Sequence, residues 1–84
     1  MIIEEDYGNY YNGDLMINNY PNLQSIIVKK NSLKNLRSLK ICNCEKLKTI
    51  EIENGANYNV KNVIIESTKI QYFHIYIFPI YNHS

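Results

Sequence analysis

The run Cys42-Asn43-Cys44 sets two thiols two residues apart, a spacing that could serve a redox disulfide or supply two of the four ligands of a zinc site. On an extended strand residues i and i+2 share one side, and a disulfide between them would be strained. A metal would need two further ligands, and His74 and His83 stand a turn or more away at unrelated positions. The thiols are therefore expected to be free and to serve packing. Glu51 and Glu53 form a carboxylate pair, the arrangement used in general acid/base catalysis, but they alternate with Ile50 and Ile52 and so belong on a solvated strand face. His74 alternates outward between Phe73 and Ile75, with no Ser, Cys or Asp in a comparable register. No glycine-rich phosphate loop occurs. The expectation is a protein that is not an enzyme and uses no metal or cofactor.

Charge is unevenly distributed. The formal net charge is +1, yet seven of the nine basic residues, Lys29, Lys30, Lys34, Arg37, Lys40, Lys46 and Lys48, fall in a 20-residue window whose single acid is Glu45. A belt of this kind can meet nucleic acid, anionic lipid or an acidic protein. The window holds no aromatic residue on which a base could stack, which disfavours nucleic acid and leaves a solvated face or a protein partner.

An 84-residue chain has room for one domain, residues 1–84, with a modest core. Hydrophobic residues at 45% and charged residues at 20% are ordinary for a folded domain, and neither disorder nor a membrane class is indicated. The N-terminal MIIEEDYGNYYN lacks the basic start and apolar core of a secretory signal, and no apolar run approaches ~20 residues, so no transmembrane segment is expected. Two cysteines make no disulfide framework, and a cytoplasmic address is the expectation. Asn82-His83-Ser84 matches a glycosylation sequon, which without a signal peptide is read as chance.

The elements that position these residues are written as an internal repeat. Leu23, Ile26, Val28 and Leu47, Ile50, Ile52 share LxxIxI at an offset of 24 residues, and Leu36, Leu39, Ile41 and Val60, Val63, Ile65 share it at the same offset. Stepping back by 24 lands on Leu15 and Ile17, and stepping forward finds Ile70, Phe73 and Ile75 with a one-residue slip. Two interleaved strands thus recur once per turn, recognisable over 12–77, with 78–84 as a tail. The expected fold is mostly β, a short solenoid of about three and a half 24-residue turns with two strands per turn.

In each LxxIxI the last two apolar residues are at i and i+2 and face inward, so successive turns stack them into columns. Cys44 takes the small buried position before the next repeat. Tyr20-Pro21-Asn22, Asn43-Cys44-Glu45 and Glu53-Asn54-Gly55 supply turn chemistry at the strand ends. Leu33, Leu36 and Leu39 recur every three residues, so SLKNLRSL is read as extended, with a short helical turn as the alternative. The outward positions make two candidate recognition faces. One carries Ser25, Ile27 and Lys29, then Thr49, Glu51 and Glu53, then Tyr72, His74 and Tyr76. The other carries Asp14, Met16 and Asn18, then Ser38, Lys40 and Cys42, then Asn62, Ile64 and Glu66. The candidate binding residues are Ile27, Lys29, Thr49, Glu51, Tyr72, His74, Met16, Lys40 and Ile64.

YPNLQSIIVKKNSLKNLRSLKICNCEKLKTIEIENG resembles the BspA-like leucine-rich repeats found in bacteria and unicellular eukaryotes. LQSIIVKKNSL satisfies the general pattern LxxLxLxxNxL, and CEKLKTIEI is similar to the CxxLxxIxI segment of that subtype. Gly55 stands where a counterpart of Asn31 belongs, the convex-side aromatic is weak, and the last copy is slipped. The resemblance implies a leucine-rich-repeat solenoid and a non-catalytic protein-protein interaction or adhesion module, with no shared catalytic residues. The alternative is a structural fragment of a longer solenoid with no separate binding role. The apolar IQYFHIYIFPIY leaves a strand edge and a hydrophobic face to be covered, by self-association through the C-terminal end or a continuation of the repeat, with a tail folded over as a cap beyond Pro79 as the alternative.

Overall fold

The computed structural model describes residues 1–66 and 69–75, together with the backbone of 81–83. Eight strands alternate between two sheets: β1 (Ile2–Ile3), β2 (Asp14–Asn18), β3 (Ser25–Val28), β4 (Ser38–Cys42), β5 (Thr49–Ile52), β6 (Asn62–Ile65), β7 (Tyr72–Ile75) and β8 (Tyr81–His83). One sheet runs β1-β3-β5-β7 and the other β2-β4-β6-β8, and every pairing is parallel. Among the described residues there is no helix. The chain is a β-solenoid of about three turns.

The register follows the repeat. Leu15 pairs with Leu39 and Leu39 with Val63; Ile26 pairs with Ile50, each a step of 24 residues. From Ile50 to Phe73 the step is 23, which is the slip visible in the sequence. The sheets also extend past the sequence repeat, because β1 joins β3 at a step of 25 and β8 joins β6 at a step of 18. The core lies between the two sheets and is built from Ile26, Val28, Ile50 and Ile52 on one side and Ile17, Leu39, Ile41, Val63 and Ile65 on the other. β-Branched side chains dominate it because they suit a pleated surface buried on one face.

The corners repeat as faithfully as the strands. Backbone N–H groups close the same three-residue-back turn in successive rungs: Tyr7 to Glu4, Ser32 to Lys29 and Ala56 to Glu53, then Tyr11 to Gly8, Leu36 to Leu33 and Val60 to Asn57. SLKNLRSL is therefore a hydrogen-bonded turn over Leu33 to Leu36 that delivers the chain into β4 at Ser38, and it is neither a helix nor extended throughout. The rungs are also tied to each other at these corners, as in Leu33 N–H to Tyr7 O and Asn57 N–H to Ser32 O.

These corners require left-handed backbone, which accounts for much of the asparagine. Positive φ occurs in columns: Asp6 (62°), Asn31 (59°) and Gly55 (80°); Gly8 (71°), Leu33 (48°) and Asn57 (54°); Asn19 (65°) and Asn43 (53°). Asn, Asp and Gly enter this region at the least cost. Gly55 thus replaces the asparagine of the previous turn with another residue suited to the same dihedral. It also leaves room for the Asn31 side chain, whose Oδ1 occupies the place that a Cβ at position 55 would take.

Leu33 is the exception in its column. A non-glycine left-handed residue costs roughly 1–2 kcal/mol. Full burial of a leucine contributes about 1.5–3 kcal/mol, and Leu33 is buried in the core cluster. Burial offsets the backbone strain. At Asn57 the balance is reversed: the dihedral suits asparagine, but the side chain is fully buried and neither Nδ2 nor Oδ1 has a hydrogen-bond partner.

Candidate interaction surfaces

Strand alternation places the outward side chains of each sheet in rows that cross the rungs. On the first sheet the rows are Ile2, Ile27, Glu51, His74 and Ser25, Thr49, Tyr72. Ile27, Thr49 and Glu51 are half-buried between their neighbours, whereas Tyr72 and His74 are exposed and stack with ring centroids 6.3 Å apart at 28°. Lys29 lies one residue beyond β3 and is half-buried. Glu53 lies one residue beyond β5, and its Oε1 accepts the Lys30 backbone N–H at 3.0 Å.

On the second sheet the rows are Asp14, Ser38, Asn62 and Met16, Lys40, Ile64. Met16 is exposed, while Lys40 and Ile64 are half-buried. Asn18 and Cys42 are also opposite each other. The sequence-selected residues therefore fall into two groups on two different sheets and are not brought together into one site. Ile27, Thr49, Glu51, Tyr72 and His74 share one face, and Met16, Lys40 and Ile64 share the other.

The two thiols part company. Cys42 ends β4 on the outer side, where its Sγ donates to Asn18 Oδ1 at 3.2 Å, and Asn18 Oδ1 also accepts from Asn43 Nδ2 at 2.7 Å. The left-handed Asn43 then turns the chain inward, so Cys44 joins the core and its Sγ donates to Cys42 O at 3.3 Å. Same-side placement of the pair assumed a strand running through residue 44. The strand ends at Cys42 instead.

The basic window is wrapped around a whole turn and does not form a single belt. Residues 1–24 carry Glu4, Glu5, Asp6 and Asp14 and no Lys or Arg, so an acidic first rung lies on the basic second one. Lys30 pairs with Glu5 at 3.7 Å, Arg37 with Asp14 at 2.8 Å and Lys40 with Glu66 at 3.4 Å. All three are exposed pairs, so their role is mainly in charge register between rungs.

The Arg37 pair has the best geometry. Its Nε and Nη2 donate to Asp14 Oδ1 and Oδ2 at 3.0 and 2.8 Å, and Ser38 Oγ donates to Oδ1 at 2.6 Å. The hydrogen bonds from Arg37 and then Ser38 favour the ionised carboxylate and hold Asp14 at about 2, below its ordinary 3.8. A depressed carboxylate adds stability above its unfolded-state pKa and loses it as pH falls through the folded value. The Asp14 contribution should accordingly be present above about pH 4 and fade as pH falls to about 2. Carbon-detected NMR titration should find the Asp14 midpoint near 2, and Arg37→Ala should move it toward the ordinary value.

One further feature lies outside the residues that the repeat marks as candidates. At the N-terminal end of the solenoid an open pit of about 530 Å³ lies between the sheets, lined by Ile3, Tyr7, Gly8, Tyr11, Leu15 and Leu33. The signal was the recurrence of the inward positions in the first rung, where Leu15 and Ile3 continue the columns of Leu39 and Val28.

Among the described residues no three His, Cys, Asp or Glu side chains gather as a metal site, and no helix is long and apolar enough to cross a membrane. No protein-family model, curated protein or solved structure matches the chain.

Proposed function

We propose that the chain is a non-catalytic protein-interaction module of the BspA-like leucine-rich-repeat kind. The observation that supports this is the alignment of outward side chains into rows across parallel, in-register sheets. Rows such as Met16-Lys40-Ile64 and Ile27-Glu51-His74 mix apolar and charged groups on a regularly paired backbone, a surface suited to a protein partner. Side chains there can vary without disturbing the inward columns. The pattern LQSIIVKKNSL and the CxxLxxIxI segment support the repeat type, and the buried Cys44 occupies the place that type gives it.

The test is capture from lysate by the immobilised chain, followed by Lys40→Glu and Glu51→Lys, one on each sheet face. A stoichiometric partner lost on one substitution, with the melting temperature unchanged, supports the module and identifies its binding face. Retention of nothing but the chain itself supports the alternative, a structural segment of a longer solenoid.

A further inference from the structure

The N-terminal end leaves two strand edges and an apolar pit open side by side. β1 and β2 are the outermost strands of their sheets. Asn19 N–H donates to Cys42 O, and Met1 and Ile3 carbonyls accept from Ile27 and Lys29 N–H, so the odd-numbered positions of both strands bond inward to β3 and β4. The backbone groups of the even-numbered positions point away along the sheet. Tyr11 Oη donates to the Asp14 carbonyl at 2.6 Å. Met16 and Asn18 on β2, and Ile2 on β1, remain at the edge with backbone hydrogen-bonding capacity turned outward.

An occupant that satisfies this end must bring two parallel strands with the spacing of this solenoid, an apolar wedge between them and few acids. The last rung of the same chain has those properties. β7 and β8 are the outermost strands at that end and run parallel to their neighbours, and Ile70, Phe73 and Ile75 are half-buried against the core. Residues 69–83 carry Lys69, His74 and His83 and no acid, whereas the first rung carries four acids and no Lys or Arg. Register agrees as well. The column Ile3-Val28-Ile52-Ile75 would continue from Ile75 of one copy to Ile3 of the next, and Asn82 would meet Met16.

We propose that copies of this chain stack head to tail, with the β7/β8 end of one on the β1/β2 edge of the next, so that both parallel sheets run through the junction. Such contacts are heterologous and do not close, and they produce an open series of oligomers. The inference goes beyond the sheet-face reading: of the residues in the outward rows it draws on Met16 and Ile27 through their backbone and on His74 as part of an acid-free last rung.

Sedimentation velocity of the 84-residue chain over a wide concentration range tests it, alongside Met16→Pro. Proline there removes the outward N–H while leaving the inward bonds of Leu15 and Ile17. The wild type should form a concentration-dependent ladder with no stopping size, and Met16→Pro should stay monomeric with an unchanged far-ultraviolet spectrum. If that variant loses its strand signal, Leu15→Lys, which aims a charge into the pit from a half-buried position, carries the same comparison. A wild type that stays monomeric, a series that stops at a dimer, or a ladder that a folded edge variant leaves intact would each overturn the proposal.

Discussion

Ile50→Asp is expected to unfold the chain, whereas Glu51→Lys beside it should leave stability nearly unchanged. Ile50 is fully buried and lies in register between Ile26 and Phe73 in the inward column. A carboxylate there has no cation to pair with among its column neighbours, and it must either be desolvated or take up a proton, at a cost of several kcal/mol. Small domains have only about 5–15 kcal/mol in total, and one of this length belongs at the low end. Glu51 faces outward between Ile27 and His74, half-buried, and a substitution on such a face usually changes stability by roughly 0.5 kcal/mol or less. Thermal melts of the two variants check the prediction. Equal and mild effects would show that the inward and outward assignments are wrong.

Leu36→Ala should be the most damaging truncation at a corner. Leu36 is fully buried where the Leu33 turn enters β4, and it belongs to the middle rung, which packs against both neighbours. Removing a buried leucine side chain typically costs about 2–5 kcal/mol, through lost transfer energy and the cavity left behind. In a solenoid each rung touches only the adjacent ones, so a loss at the middle rung weakens two interfaces at once. Leu23→Ala, at a half-buried position, provides the comparison and should cost clearly less. Urea titration should show a lower midpoint with an unchanged slope for both variants, and a larger shift for Leu36→Ala. Equal shifts would mean that the corner is not part of the cooperative core.

The comparison between neighbouring positions 50 and 51 works because the strand period is two and has no tolerance for a slip. That period was fully legible. LxxIxI repeated at 24 residues decides the inward residues, the two strands per turn and the parallel stacking, since identical rungs in sequence order can only stack with the same polarity. The slip before Phe73 was legible for the same reason.

Corners were less legible, because a turn is specified by dihedral angles and not by periodicity. The sequence shows Asn19, Asn31, Asn43, Asn57 and Gly55 only as turn-prone residues. Their alignment as left-handed columns emerges once the rungs are stacked. Leu33 is not a residue type that favours left-handed backbone, and it is held there by burial and by the Tyr7 carbonyl of the rung below. Cys42 and Cys44 show the same limit on a smaller scale: the repeat places Cys42 outward and Cys44 inward, but not the left-handed Asn43 that turns the chain between them.

By itself, then, the sequence determined the rung: its length, its two strands and which residues point inward, all of which depend on short-range period and apolar burial. Only the tertiary structure decided what neighbouring rungs do to each other. It placed the acidic first turn on the basic second one, joined Asp14 to Arg37 and Ser38, added β1 and β8 to the sheets, and opened the pit between Ile3 and Leu15. These contacts join residues about 24 positions apart, across hydrogen bonds and charge pairs whose partners are fixed by the stacking and not by any local pattern.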